Sequence, residues 1–255
     1  MHMFSSLLRL ASAGCLSAAL VFPGAAMALD DGQKAEIGAF IREYLVAHPE
    51  VLIEAQQALK TKQEAEQAKL SFQAITDNAQ AIFNSTHDVT LGNPKGDVTI
   101  VEFYDYNCGY CKRALSDMDA LIKSDKNVRF VLKELPILGS DSLAAHRVSA
   151  AFRAIAPEKY GAFHRNLLGG EDRATEETAI AVAERLGVKE ADLRAHMKTE
   201  MPDDAVRESY TLANALGVTG TPSYVVGNEA VFGAVGADTL AEKVANIRAC
   251  GKASC

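Results

Sequence analysis

The stretch Val98-Thr-Ile-Val-Glu-Phe-Tyr-Asp-Tyr-Asn-Cys-Gly-Tyr-Cys-Lys-Arg113 decides how the chain is read. Its first half, Val98 to Tyr104, is apolar and β-branched, the composition of a buried strand, and it empties into Cys108-Gly109-Tyr110-Cys111. From Lys112 to Ile122 the residues Ala114, Leu115, Met118, Leu121 and Ile122 recur at threes and fours, which predicts a helix with Cys111 in its first turn. A helix N-terminus carries unpaired N–H groups and partial positive charge, so a thiol held there loses its proton more easily than a free one. Cys108 is then the nucleophile, and Cys111 is placed to attack a mixed disulfide formed at Cys108. A Cys-x-x-Cys is also half of a zinc site, but such a site needs a second half, and the remaining late cysteines are Cys250 and Cys255. The strand-to-helix context selects redox chemistry, with no metal and no cofactor expected.

The run Phe103 to Cys111 resembles the active-site segment of the thioredoxin superfamily, in its periplasmic Dsb branch. Far downstream, Gly217-Val-Thr-Gly-Thr-Pro-Ser-Tyr-Val-Val226 resembles that family's cis-proline loop, a Thr-Pro followed by a strand. The resemblance implies an α/β thioredoxin fold with a DsbA-like helical insertion. It also implies roles for further residues. Glu102, six residues before Cys108, matches the family's buried acid; desolvation there raises a carboxyl pKa and lets it exchange a proton with Cys111. Lys133 on the neighbouring strand is the expected partner of Glu102. Pro222 matches the cis-proline facing the thiols, and Thr221 before it would bind a client strand by β-type pairing. Tyr110 stands where strong oxidases of this family have a histidine, and it brings no positive charge. Cys-Gly-Tyr-Cys resembles instead the DsbC-like isomerases, which a membrane partner keeps reduced.

With 255 residues, 48% of them hydrophobic, the chain is long enough to bury one substantial core and carry an accessory element. A net charge of −7 argues against nucleic acid as a partner. Residues 1–28 read as a secretory signal peptide: Arg9 is the one charged side chain, Leu10 to Phe22 is apolar, and Ala26-Met27-Ala28 is an A-x-A cleavage site. Cys15 invites a lipoprotein reading, but Ser12 stands where the lipid-attachment motif prefers leucine. Export would place the mature chain in the oxidising periplasm with four cysteines.

Residues 29–84 have helix composition, with Pro49 breaking the helix after His48. Positions alternating by threes and fours from Ile37, Phe40 and Tyr44 to Phe72, Ile75 and Ile82 are nearly all apolar. Such a stripe is buried either on the chain's own catalytic domain or against copies of itself; the coiled-coil period favours self-association. The segment resembles the N-terminal stalk of ScsC-type proteins, in which three subunits join, and the alanine-rich part from Lys60 to Ala81 reads as a movable arm.

Residues 85–255 read as the DsbA-like thioredoxin domain, with a helical insertion over about 137–201. Here Asp141 or Ser142 caps a helix from Leu143, Pro157 starts a second, and Thr175 caps a third. His146, His164 and His196 fall on separate helices and read as surface or packing residues. Pro202 starts the helix that ends at Gly217. Cys250 and Cys255 form either a local structural disulfide or an accessory redox pair or soft-metal site.

Together these readings describe an exported, oligomeric thiol:disulfide isomerase or reductase acting on disulfide-containing proteins. A ScsB-like membrane reductase is the electron partner that the resemblance implies. The competing readings are a monomeric disulfide oxidase and, outside enzymes, a copper- or zinc-binding protein or a stalked chaperone.

Overall fold

The computed structural model describes residues 29–199 and 203–255; residues 1–28, on which the signal-peptide reading falls, and Pro202 lie outside them. The chain divides into two compact units, one ending at Gln57 and one beginning at Ala58.

In the first unit, α1 (Asp31–Ala47) opens with a capping box in which Asp30 accepts from the Gln33 N–H and the Gln33 side chain accepts from the Asp30 N–H. It stops at His48, because the residue before a proline is disfavoured in helical geometry. No residue of α1 is buried, and Phe40, Ile41, Val46 and Ile53 present apolar surface to solvent. The next helix, α2 (Glu50–Asp77), begins in the first unit and ends in the second.

The second unit is built on a five-stranded sheet of β1 (Val89–Gly92), β2 (Val98–Tyr104), β3 (Val128–Glu134), β4 (Ser223–Val226) and β5 (Glu229–Phe232), in the order β1-β3-β2-β4-β5. β2 runs parallel to β3 and antiparallel to β4. Alternation along β2 sends Ile100, Glu102 and Tyr104 to one face and Val101 and Phe103 to the other. The first face is covered by α4 (Gly109–Ser124), by α10 (Ala237–Cys250) and by the helices inserted after β3. The second is covered by the end of α2, by α3 (Ala79–Asn84) and by α9 (Asp203–Leu216). This is the thioredoxin arrangement.

Two boundaries differ from the sequence reading. Residues 58–84 group with the thioredoxin unit. Ile75 and Ile82 are buried among Val101, Phe103 and Leu212, so the end of the helical segment completes the second core layer rather than standing apart from it. The stretch assigned to a movable arm is therefore anchored at Ser71 and Ile75. In the insertion, α5 (Ser140–Ile155) starts before the expected Leu143, and Pro157 opens a short 3-10 turn, Pro157–Lys159, that leads into α6 (Tyr160–Leu168). Thr175 caps α7 (Glu176–Arg185), and α8 (Glu190–Thr199) completes the block. Among the described residues, no helix is long and apolar enough to cross a membrane.

Candidate active site

The turn between β2 and α4 is held from within. The buried Asp105 carboxylate accepts from the N–H of Asn107 at 2.8 Å, the N–H of Leu138 at 2.9 Å and the Ser142 hydroxyl at 2.8 Å. Asn107 exchanges hydrogen bonds with the backbone of Ala174. These two side chains tie the turn to the inserted helices. Sequence reasoning passed over both, although Asp and Asn just ahead of a helix are common turn-fixing residues.

Cys108 is the N-cap of α4, with extended backbone, and Cys111 lies one turn in. Both are free thiols; Cys111 is fully buried and Cys108 is 7% exposed. The Thr221–Pro222 peptide bond is cis, and the Cys108 thiol donates to the Thr221 carbonyl at 3.1 Å. The fold thus brings Cys108, Cys111, Thr221 and Pro222 together.

The thiols differ sharply in acidity. A hydrogen bond from the Cys111 thiol is the main influence bringing Cys108 down to about 5; burial opposes it, while the Thr221 side chain and the N–H groups of Cys111 and Tyr110 assist. Cys111 is pushed far up, first by burial, then by its bond to Cys108 and by the Glu102 charge. Of the two, Cys108 is the thiol that ionises, giving up its bond to the Thr221 carbonyl when it does, while Cys111 keeps its proton.

Glu102 lies on the same sheet face, with one oxygen lacking a partner. Burial raises its carboxyl to about 8, with smaller contributions from Asp117 and Cys108. Lys133 does not pair with it. In the parallel register Glu102 faces Leu132 and Lys133 faces Phe103, so the lysine projects from the opposite face, where its Nζ meets Asp88 at 2.6 Å and Glu208 at 3.3 Å. The expected Glu102–Lys133 contact is corrected on that ground.

Tyr110 is 60% exposed, and the Arg113 guanidinium stacks over its ring at 4.3 Å. A cation therefore does accompany the tyrosine, supplied from one turn along the helix.

Two of the three histidines are packing residues, and they meet. His146 and His164 are buried and converge on Tyr104, at ring separations of 5.4 and 4.8 Å, because α5 and α6 pack on the same sheet face. With them lie Tyr106, Tyr160, Ser149 and Glu134, whose Oε1 accepts from Ser149 at 2.6 Å and from Tyr160 at 3.1 Å. Burial works to raise Glu134, but the adjacent His146 ring, with Arg153 and Ser149, brings it below the ordinary carboxylate range. Burial lowers His164 to about 3, leaving it neutral.

Cys250 and Cys255 are joined by a disulfide, with Gly251 in left-handed conformation at the end of α10. A groove of about 660 Å³ lies away from the thiols, between Gln67, Ser71 and Phe72 of α2 and Ala230 and Phe232 of β5. It holds none of the groups needed for thiol exchange.

Comparison with known proteins agrees with this architecture. Residues 99–245 match the DSBA-like thioredoxin domain, and residues 33–66 match the copper resistance protein ScsC N-terminal domain. A thioredoxin-like oxidoreductase from Silicibacter pomeroyi is 39% identical, with a TM-score of 0.64 over 67% of this chain and 98% of that one. Proteus mirabilis ScsC in a transitional conformation is 30% identical, with a TM-score of 0.59 over 84% of this chain and 95% of that one. A curated relative, Na(+)/H(+) antiporter NhaA 3 of Salinispora tropica, is 26% identical over 157 residues, which is 62% of this chain. The match spans 24% of the antiporter's length. Because the domain match takes in the strand, the thiol turn and the cis-proline loop in one span, the chain belongs to the DSBA-like thioredoxin family and is of ScsC type.

Proposed function

We propose that this protein is an exported thiol:disulfide oxidoreductase that isomerises or reduces disulfides in periplasmic proteins. The observation that carries the reading is a thiolate-prone Cys108 lying 3.1 Å from the Thr221 carbonyl beside the cis Pro222, with a protonated Cys111 behind it. The Cys108 thiolate attacks a client disulfide, forming a Cys108–client bond and releasing one client thiolate. The client strand pairs with the Thr221 backbone during this step. In isomerisation another client thiolate attacks the mixed disulfide and returns Cys108 as thiolate, with no net redox change. In reduction Cys111 gives its proton to ionised Glu102, attacks Cys108 and releases the reduced client. The resulting Cys108–Cys111 disulfide needs a dithiol reductant, which a ScsB-like membrane partner would supply.

Two features support a multi-subunit isomerase. The first unit leaves Phe40, Val46 and Ile53 exposed, a surface suited to self-association of three copies, and residues 33–66 match the ScsC N-terminal domain. The oxidase reading draws on the depressed Cys108 pKa, since a stabilised thiolate favours the reduced form and makes the disulfide more oxidising. Refolding of a scrambled, disulfide-rich protein by residues 29–255 and by residues 58–255 separates the two. The shorter chain begins at Ala58 because Ile75 and Ile82 belong to the thioredoxin core. Strong activity that falls on truncation supports the isomerase. Oxidation of reduced clients, unaffected by truncation, supports the oxidase; full activity in Cys108→Ser overturns both.

A further inference from the structure

Helix α9 ends on a buried carbonyl. Leu216 is fully buried, and as a last-turn residue it has no N–H of its own helix to bond its oxygen. The oxygen is satisfied instead from α2: Ser71 Oγ donates to it at 2.9 Å and Gln67 Nε2 at 3.2 Å, with Gln67 also donating to Ser71 at 3.1 Å. Gln67, Ser71 and the buried Ile75 lie four residues apart on one helical face. The next residue, Gly217, takes left-handed backbone at φ 73°, and a Cβ there would run into the Gln67 amide. Behind the glycine, the Val218 N–H returns to the Ala213 carbonyl. At the far end of the same segment, Ser223 Oγ donates to the Gly220 carbonyl just ahead of Thr221 and Pro222.

We infer that Gln67 and Ser71 are positioning residues for the cis-proline loop: by holding the Leu216 carbonyl they set where the 217–222 segment leaves α9, and so where Thr221 presents its backbone to a client strand. Neither residue touches the thiols. Their effect falls on binding of substrates that have a backbone to pair with Thr221, and spares small disulfides that have none. The inference rests on the proposed thiol-exchange reading.

The test compares the Gln67→Met/Ser71→Ala double variant of residues 29–255 with the parent on two substrates, a disulfide-bonded extended peptide and 2-hydroxyethyl disulfide. The expected result is a KM for the peptide raised about fivefold or more, the scale of one lost hydrogen bond. The kcat, the rate with 2-hydroxyethyl disulfide and the titration of the Cys108 thiolate stay unchanged, and Ser71→Thr keeps the parent's KM. An unchanged peptide KM in the folded double variant overturns the inference, as does a parallel fall on both substrates. If the double variant does not fold, Gln67→Met alone, at a half-buried position, is read by the same criteria. Turnover that survives Cys108→Ser would instead overturn the underlying function.

Discussion

Glu102 and Lys133 sit on adjacent parallel strands one register step apart, and their side chains leave the sheet on opposite faces. The consequence is electrostatic. Lys133 is paired with Asp88 and Glu208, and the groups that bear on the Glu102 carboxyl are two acids, Asp117 and Cys108. A buried carboxyl so placed stays protonated to about pH 8 and can act as a base towards Cys111 only after it ionises.

Replacing Glu102 by Gln separates the stability effect from the catalytic one. The folded carboxyl binds its proton more tightly than the unfolded one, so between about pH 4.5 and 8 folding holds a proton that the unfolded chain has lost. Relative to Glu102→Gln, the parent should lose stability as pH rises through that window, by up to about 1.4 kcal/mol per pH unit. Denaturant unfolding of the reduced proteins from pH 5 to 9 measures it; curves that stay parallel would refute the raised pKa. Reductive release by Cys111 should slow in the same variant.

Lys133→Met should cost stability on the order of 3 kcal/mol, because it leaves the Asp88 carboxylate buried without its cation. Asp88 is already raised to about 6, chiefly by burial against the opposing pull of Lys133, and should shift further up. The Cys108 titration should not move. A changed thiol titration with unchanged stability would mean the lysine acts on the site after all.

Cys111→Ala should raise the Cys108 pKa, because it removes the largest influence holding that thiol at about 5. In the parent, a depressed thiol pKa contributes stability to the reduced fold that is fully present above the ordinary value of 9 and is lost as pH falls through about 5. Ultraviolet thiolate absorbance, followed from pH 3 to 10, reads the first point, and denaturant unfolding of the reduced protein over the same range reads the second. Identical titrations would place the control elsewhere.

His164→Phe should reduce the acid sensitivity of the fold. The unfolded histidine takes a proton below about 6.5 and the folded one only near 3, so its contribution is present above 6.5 and fades as pH drops between the two. Phenylalanine keeps a ring against Tyr104 and removes the unpartnered Nδ1. Thermal melts from pH 3 to 7 should show a shallower decline in the variant.

Phe40→Asp should break the proposed self-association of the first unit. Phe40 is exposed in α1, and a charge there would have to be buried in any apolar seam. Sedimentation should show a smaller species whose rate with 2-hydroxyethyl disulfide equals the parent's. An unchanged mass would overturn the proposed self-association through α1.

Much of the fold was legible because it is written in local pattern. The β-branched run Val98 to Tyr104 coincides with β2, the threes and fours after Cys111 with α4, and Thr175 with a helix cap. The extent of the stalk was not, because the stripe that marks α2 is the same whether Ile75 meets another copy or its own sheet. That two of the histidines meet was not legible for a related reason: His146 and His164 stand in different helices, and only the packing of α5 and α6 on one face brings both rings to Tyr104.

By itself, then, the sequence determined the strand-to-helix placement of Cys108 and Cys111, which follows from residue type and spacing, while the Thr221-Pro222 loop and the α/β layering were implied by the family resemblance of two motifs. The tertiary structure alone decided that Lys133 meets Asp88 instead of Glu102, that Cys108 comes within 3.1 Å of the Thr221 carbonyl, and that Gln67 and Ser71 close the end of α9. Those contacts join residues far apart in the chain, and strand register and the face on which each helix packs set which of them meet.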